Sequence, residues 1–185
     1  DLAIERFGSA QGLTDPMVSV FFEDRRSNVW VATALGVDQF RQSRLTPVDF
    51  GEPVLNPSVA VDRAGTVWVG SLWGVYRIDD AVHKLDEPAE LISCTAIDRS
   101  GTVWMGGKGG LWRFEDGHAS HVDLPPDADG AGTRVQAIAS DSEGALWVAV
   151  NSYGLYRQKD DVWSKVDLVA GMSPERLVRL LGDER

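Results

Sequence analysis

At 185 residues and 20.2 kDa the chain has the length of one domain, and 43% hydrophobic with 25% charged residues excludes disordered and fibrous classes. Eighteen Lys+Arg against 28 Asp+Glu give a net charge of −10, which repels phosphate backbones and argues against a nucleic-acid partner. No apolar stretch approaches the ~20 residues of a membrane span, Asp1-Leu2-Ala3-Ile4-Glu5-Arg6 does not read as a signal peptide, and the single Cys94 leaves the redox compartment undecided.

In chain order, Ile4-Glu5-Arg6-Phe7 reads as a strand closing a blade over 1–12, like Val48-Asp49-Phe50 further on. Four units follow, at about 13–50, 51–88, 89–125 and 126–169, and residues 170–185 open a further one with Asp183 where its Asp belongs. The units align on Asp24, Asp62, Asp98 and Asp141, each six positions before Trp30, Trp68, Trp104 and Trp147. The tryptophans recur after 38, 36 and 43 residues. Each is followed by a Gly and an apolar pair, as in Gly74-Val75-Tyr76-Arg77 and Gly154-Leu155-Tyr156-Arg157.

The second unit shows the internal pattern. Val59-Ala60-Val61 leads into a turn at Asp62 to Gly65, where Gly accepts a positive φ and Asp bonds nearby N–H groups. Thr66-Val67-Trp68-Val69-Gly70 is β-branched and aromatic; a second turn at Leu72-Trp73-Gly74 precedes Val75-Tyr76-Arg77-Ile78, and a fourth strand falls near His83-Lys84-Leu85. Four short strands in roughly 40 residues are what one β-propeller blade requires, and the period of two excludes a helical solenoid. The expected fold is therefore all-β: about four blades of four antiparallel strands, a partial propeller. The four tryptophans are expected to pack between blades, and the four aspartates to form turns.

Asp-x-x-Gly-x-[Val/Leu]-Trp-[Val/Met]-[Gly/Ala] followed by Gly-[Leu/Val]-[Tyr/Trp]-Arg-[Phe/Ile] resembles the two-component regulator propeller repeat, and Gly12-Leu13-Thr14-Asp15-Pro16-Met17-Val18 resembles the linker by which that family enters a blade. The first repeat departs from it, with Ser27 for Gly and Val37-Asp38-Gln39-Phe40 in its third strand. The resemblance implies a ligand-sensing periplasmic input domain of a bacterial receptor that does no chemistry, takes a small-molecule or glycan ligand, and acts on a downstream histidine kinase or diguanylate cyclase. It also implies more blades than four, so self-association as a homodimer or further blades of a parent chain are expected to cover the apolar end faces.

No cofactor or metal is expected. His118 and His121 lie three apart in one strand and so point to opposite faces, His83 stands alone, and no Gly-x-Ser-x-Gly elbow is present. Cys94 aligns with Val20, Ser58 and Ala137 as a small packed residue. Arg77, Arg113 and Arg157 are expected to pair with the acidic turns, and the stretch from Leu124 to Gly132 to form a flexible loop between blades. The second-to-third-strand loops vary while the scaffold repeats, so a binding site is expected there. Leu35, Trp73, Lys108 and Tyr153 stand on those loops, with Arg134 on the adjoining linker; Trp73 and Tyr153 offer flat faces to a sugar ring, Lys108 and Arg134 charge to an anion. Propeller enzymes of the streptogramin-lyase-like type, sialidase-type Asp-box proteins and protein-interaction scaffolds are the alternatives.

Overall fold

The computed structural model describes residues 6–24, 26–41, 44–88, 91–115, 117–128, 130, 132–168, 172–173 and 179–180, with the backbone alone for 41 and 44–46. Asp183, Asp129 and Pro174 lie outside the described residues. After a 3-10 turn at Ser9–Gln11, the first sheet comprises β1 (Val18–Glu23), β2 (Val29–Thr33), β3 (Val37–Arg41) and β4 (Arg44–Pro47). The second comprises β5 (Ser58–Val61), β6 (Val67–Ser71), β7 (Gly74–Ile78) and β8 (Val82–Leu85). The third is β9 (Ile92–Ile97), β10 (Val103–Gly107), β11 (Gly110–Glu115) and β12 (His118–Val122); the fourth is β13 (Val135–Ser140), β14 (Leu146–Val150), β15 (Gly154–Lys159) and β16 (Val162–Val166).

Each sheet is an antiparallel meander in chain order. The first strands lie innermost, with β5 against β9 and β9 against β13. The fold is four blades of a β-propeller that do not close into a ring.

The repeat's Asp and Trp turn out to be one device. In every blade the Asp Oδ1 accepts backbone N–H groups two and four residues on, closing the first turn. Its Oδ2 accepts the Trp indole N–H, at 3.1 Å for Asp24–Trp30 and Asp62–Trp68 and 2.8 Å for Asp98–Trp104 and Asp141–Trp147. The six-residue spacing is the reach of that bond. Gly65, Gly101 and Gly144 take the positive φ each turn needs, and Ser27 adopts it too, at 58°.

Held at that angle, each Trp seats its blade on the next. Trp30 is buried with Val54, Val67, Val69 and Tyr76; Trp68 with Ile92, Val103, Met105 and Phe114; Trp104 with Val135, Ile138, Val148 and Val150. At ~25 cal/mol per Å² over 150–250 Å², each burial is worth at most roughly 4–6 kcal/mol. Trp147 belongs to the outward flank of the fourth blade, where it is half-buried beside Ala149, Leu155 and Leu180.

The other end of the arc is bare. In the first blade Phe21 is 74% and Met17 70% exposed, whereas Ile138, which holds the place of Phe21 in the fourth blade, is buried against the third.

Candidate functional site

The meander puts all linkers and all second-to-third-strand loops on one face of the arc, and all Asp turns on the other. On the linker face the backbone forms a belt. Ala34 N–H donates to Met17 O, Asn56 to Ala34 O, Leu72 to Leu55 O, Leu91 to Leu72 O, Lys108 to Leu91 O and Asn151 to Arg134 O, at 2.9–3.3 Å. Each loop is thereby tied to the linker that enters its own blade, and the first two also to the linker that follows, so the loop side chains differ on a shared frame.

Side chains from the linkers add clamps that the repeat alignment did not reveal. In the second blade Glu52 accepts from Tyr76 Oη at 3.0 Å and from Lys84 Nζ at 2.7 Å; in the fourth, Asp127 accepts from Tyr156 Oη at 3.0 Å and from Lys165 Nζ at 3.2 Å. The Lys84 ammonium, with Tyr76, holds the Glu52 carboxyl below its ordinary range, and Lys165 does the same for Asp127. In the first blade Asp38 stands in the place of Tyr76 and Tyr156, fully buried, and accepts from the Thr14 hydroxyl at 2.6 Å and from Thr14 N–H at 3.1 Å. The odd third strand of the first repeat thus ties down the segment that precedes it.

Among the expected binding residues, Leu35 and Trp73 stand exposed at 51% and 48% on the first two loops, and Lys108 is exposed on the third. Tyr153 is half-buried against Leu124, Ala128 and Tyr156, and its hydroxyl lies close over Gly130, where an added Cβ would meet it at 2.6 Å. Arg134 is exposed on the linker next to the fourth loop. Between the third and fourth blades this face carries a hollow of about 250 Å³, lined by Lys108, Gly109, His121, Gly130, Gly132 and Thr133. His121 is the residue the sequence reading missed: it sits on β12, yet its Nε2 reaches the carbonyl of Gly109 at 3.0 Å, and its ring meets Trp112 edge-on at 5.2 Å. The cross-strand pairing of Trp112 with His121 is the signal that places it there.

In the stretch from Leu124 to Gly132, expected to be flexible, the described residues Leu124, Ala128 and Gly130 are held in place. Leu124 and Ala128 are buried, and the Thr133 hydroxyl donates to the carbonyls of Ala128 and Gly130 and accepts from Gly130 N–H. Of the three arginines expected to pair with acidic turns, Arg157 bonds Asp141 and Glu143 in its Asp turn and Arg77 pairs with Asp79 in the turn between β7 and β8, whereas Arg113 pairs with Glu115 within its own strand. Arg113 finds Glu115 at i+2, on the same face of β11. Burial opposes charge on Asp141, but the bonds from Trp147, Ala145 N–H and Arg157 outweigh it and bring its pKa to about 2. Cys94 is buried, pairs with Gly106 as Val20, Ser58 and Ala137 pair with their partners, and burial pushes its thiol to about 12.

A larger groove of about 610 Å³ opens on the Asp-turn face, between the inner strands β1, β5, β9 and β13. Its repeat aspartates and its arginines are already committed. The aspartates hold indoles and turn amides, Arg63 donates to the carbonyl of Arg99, and Arg99 to that of Ser142. Those arginines brace one blade against the next.

No protein-family model and no curated protein matches the chain. Solved structures do. A streptogramin B lyase superposes with a TM-score of 0.72 at 16% identity, covering 86% of this chain and 57% of the lyase. The extracellular domain of a protein assigned to hybrid two-component systems, from B. thetaiotaomicron, superposes with a TM-score of 0.69 at 16% identity, covering 91% of this chain and 24% of that one. An inactive variant of virginiamycin B lyase from Staphylococcus aureus, solved with quinupristin, gives 0.64 at 15% identity over 82% of this chain and 56% of the lyase. These likenesses establish the propeller fold. The chain spans about half the length of the lyases and a quarter of the extracellular domain, and the structures it resembles include both lyases and extracellular domains of two-component systems.

Proposed function

We propose that the chain is a ligand-sensing propeller segment of a bacterial signal-transduction receptor, on the extracytoplasmic side of the membrane, binding a small molecule or glycan without transforming it. The observation that carries this reading is the linker face: a backbone belt common to all four blades, bearing Leu35, Trp73, Lys108 and Tyr153 at loop positions that differ. The likeness to a receptor's extracellular domain over 91% of the chain supports it. A bound ligand would bias how the blades or paired arcs sit, and a histidine kinase or diguanylate cyclase would read the shift.

A lyase of the streptogramin type is the second reading, favoured by the superposition on that enzyme. Against it stands the placement of the histidines: His83 and His118 lie on outer strands with exposed rings, and His121 is engaged with Gly109 and Trp112. The experiment that separates the readings is a binding and turnover assay on a panel of sugars, oligosaccharides and streptogramin B, with Trp73→Ala and Tyr153→Ala variants. We expect binding without product and at least tenfold weaker affinity in the variants. Unchanged affinity in both variants would remove Trp73 and Tyr153 from the site, and turnover would replace the sensor with the enzyme.

A further inference from the structure

We propose that the outward flank of the fourth blade is a docking slot with two rival occupants, Leu180 of the same chain and Phe21 of a second copy, so that the chain restrains its own head-to-tail association. The register of the repeat identifies the rivals. Phe21, Val59, Thr95, Ile138 and Leu180 each stand three positions before the Asp of their repeat. At the three internal joints that residue reaches back onto the preceding blade. Val59 packs against the cluster of Trp30 and Ala32, the Thr95 hydroxyl shares a hydrogen bond with that of Ser58 at 2.7 Å, and Ile138 is buried with Cys94 and Trp104.

Leu180 does the same at the fourth blade. It packs half-buried against Ala137, Ala149 and Leu155, beside Trp147. Ala137 faces Ala149 in the ladder as Ser58 faces Gly70, and those two lie directly under Thr95. Leu180 therefore holds the seat on the fourth blade that Thr95 holds on the second. Phe21 carries the same position at the start of the arc, with no blade before it among the described residues, and is 74% exposed.

The seat is only part of a joint. At an internal joint the second and third strands of the following blade also close over the Trp, and Trp30, Trp68 and Trp104 are left 7–8% exposed. Trp147, with Leu180 beside it, stays half-buried. The first blade carries what is missing there: Val29, Val31 and Phe40 occupy the ladder positions that Val103, Met105 and Phe114 occupy against Trp68. The segment before β1 has already made the linker's share of such a joint, with Leu13 buried, Phe7 edge-on to Phe40 at 5.0 Å and Thr14 bonded to Asp38. The first blade lacks a Trp-bearing flank and the fourth lacks a blade; a second copy supplies both.

Leu180 and Phe21 cannot hold the seat together. A second copy docks only while Leu180 is displaced, so its apparent affinity is the intrinsic one reduced by the fraction of seats that stand open. Leu180 has the advantage of a high effective concentration, and the second copy that of a larger apolar contact. The slot lies apart from the linker face, so its test and the test of ligand sensing fail separately.

Sedimentation velocity of the 185-residue protein over a concentration series, with Leu180→Ser, the milder Leu180→Ala, Phe21→Glu and Val166→Glu, tests this. Both changes at Leu180 are expected to tighten association, Leu180→Ser by at least about threefold, because the seat then stands open. Phe21→Glu is expected to abolish association, alone and combined with Leu180→Ser. Val166 lies on the same flank, so Val166→Glu is expected to be monomeric alone yet to associate when mixed with Phe21→Glu, one intact face meeting one intact flank. Val166→Glu associating like the wild type would mean that Phe21 docks elsewhere and would overturn the slot. Association no tighter in either Leu180 variant than in the wild type would overturn the rivalry. Monomers of the wild type and of both Leu180 variants at every concentration would overturn the proposal as a whole.

Discussion

Each repeat Asp serves two structural tasks with its two oxygens, one in the turn and one at the Trp indole. For Asp98 the partners are the N–H groups of Ser100, Gly101 and Thr102 and the indole of Trp104. Asp98→Ala strands these donors and frees the Trp angle, so a loss of about 2–3 kcal/mol is expected, read as a lower urea midpoint with the m-value kept. Asp98→Asn keeps the turn acceptor and should lose less. The Asp141 carboxylate also makes stability pH-dependent. Asp141 titrates at about 2 in the fold against about 4 for a free Asp, so its contribution is full above pH ~4 and falls away toward pH ~2. The same urea series at falling pH should show that loss, and should show less of it in Asp141→Asn.

The inner strands approach their neighbours closely because small residues stand where they cross. A Cβ at Gly70 would press on Ile92 and Thr95, and one at Gly106 on Val135 and Cys94. Gly106→Ala should therefore overpack the joint between the third and fourth blades and cost about 1–3 kcal/mol, measured by thermal unfolding, whereas alanine at Gly109 should cost little. Blades and their spacing were legible because Asp, Gly and Trp recur at a fixed offset that turn geometry and one hydrogen bond both require. The linker clamps were not. Glu52 and Asp127 reach their Tyr and Lys partners across 24 to 38 residues, a pairing that no local pattern announces. His121 was hidden for the same reason: its position in the hollow follows from cross-strand register, while its immediate sequence neighbours read as a polar outer strand. Leu35, Trp73 and Lys108 were visible because they interrupt a repeat, but whether a loop side chain turns outward, like Trp73, or inward, like Tyr153, depends on the adjoining linker.

The whole molecule is an arc with two unlike ends. One presents Phe21, Met17 and the rest of β1, the side by which inner blades receive the Trp of the blade before; the other presents Trp147, half-covered. Three internal joints of this kind exist within the chain, so another blade would fit each end, and for the isolated chain we propose that a second copy supplies it. An open arc with bare joints makes a demand that one measurement checks, the native mass of the purified protein in solution. We predict a mass of at least twice 20.2 kDa, falling to 20.2 kDa in Phe21→Glu. A stable wild-type monomer with Phe21 in water would contradict it.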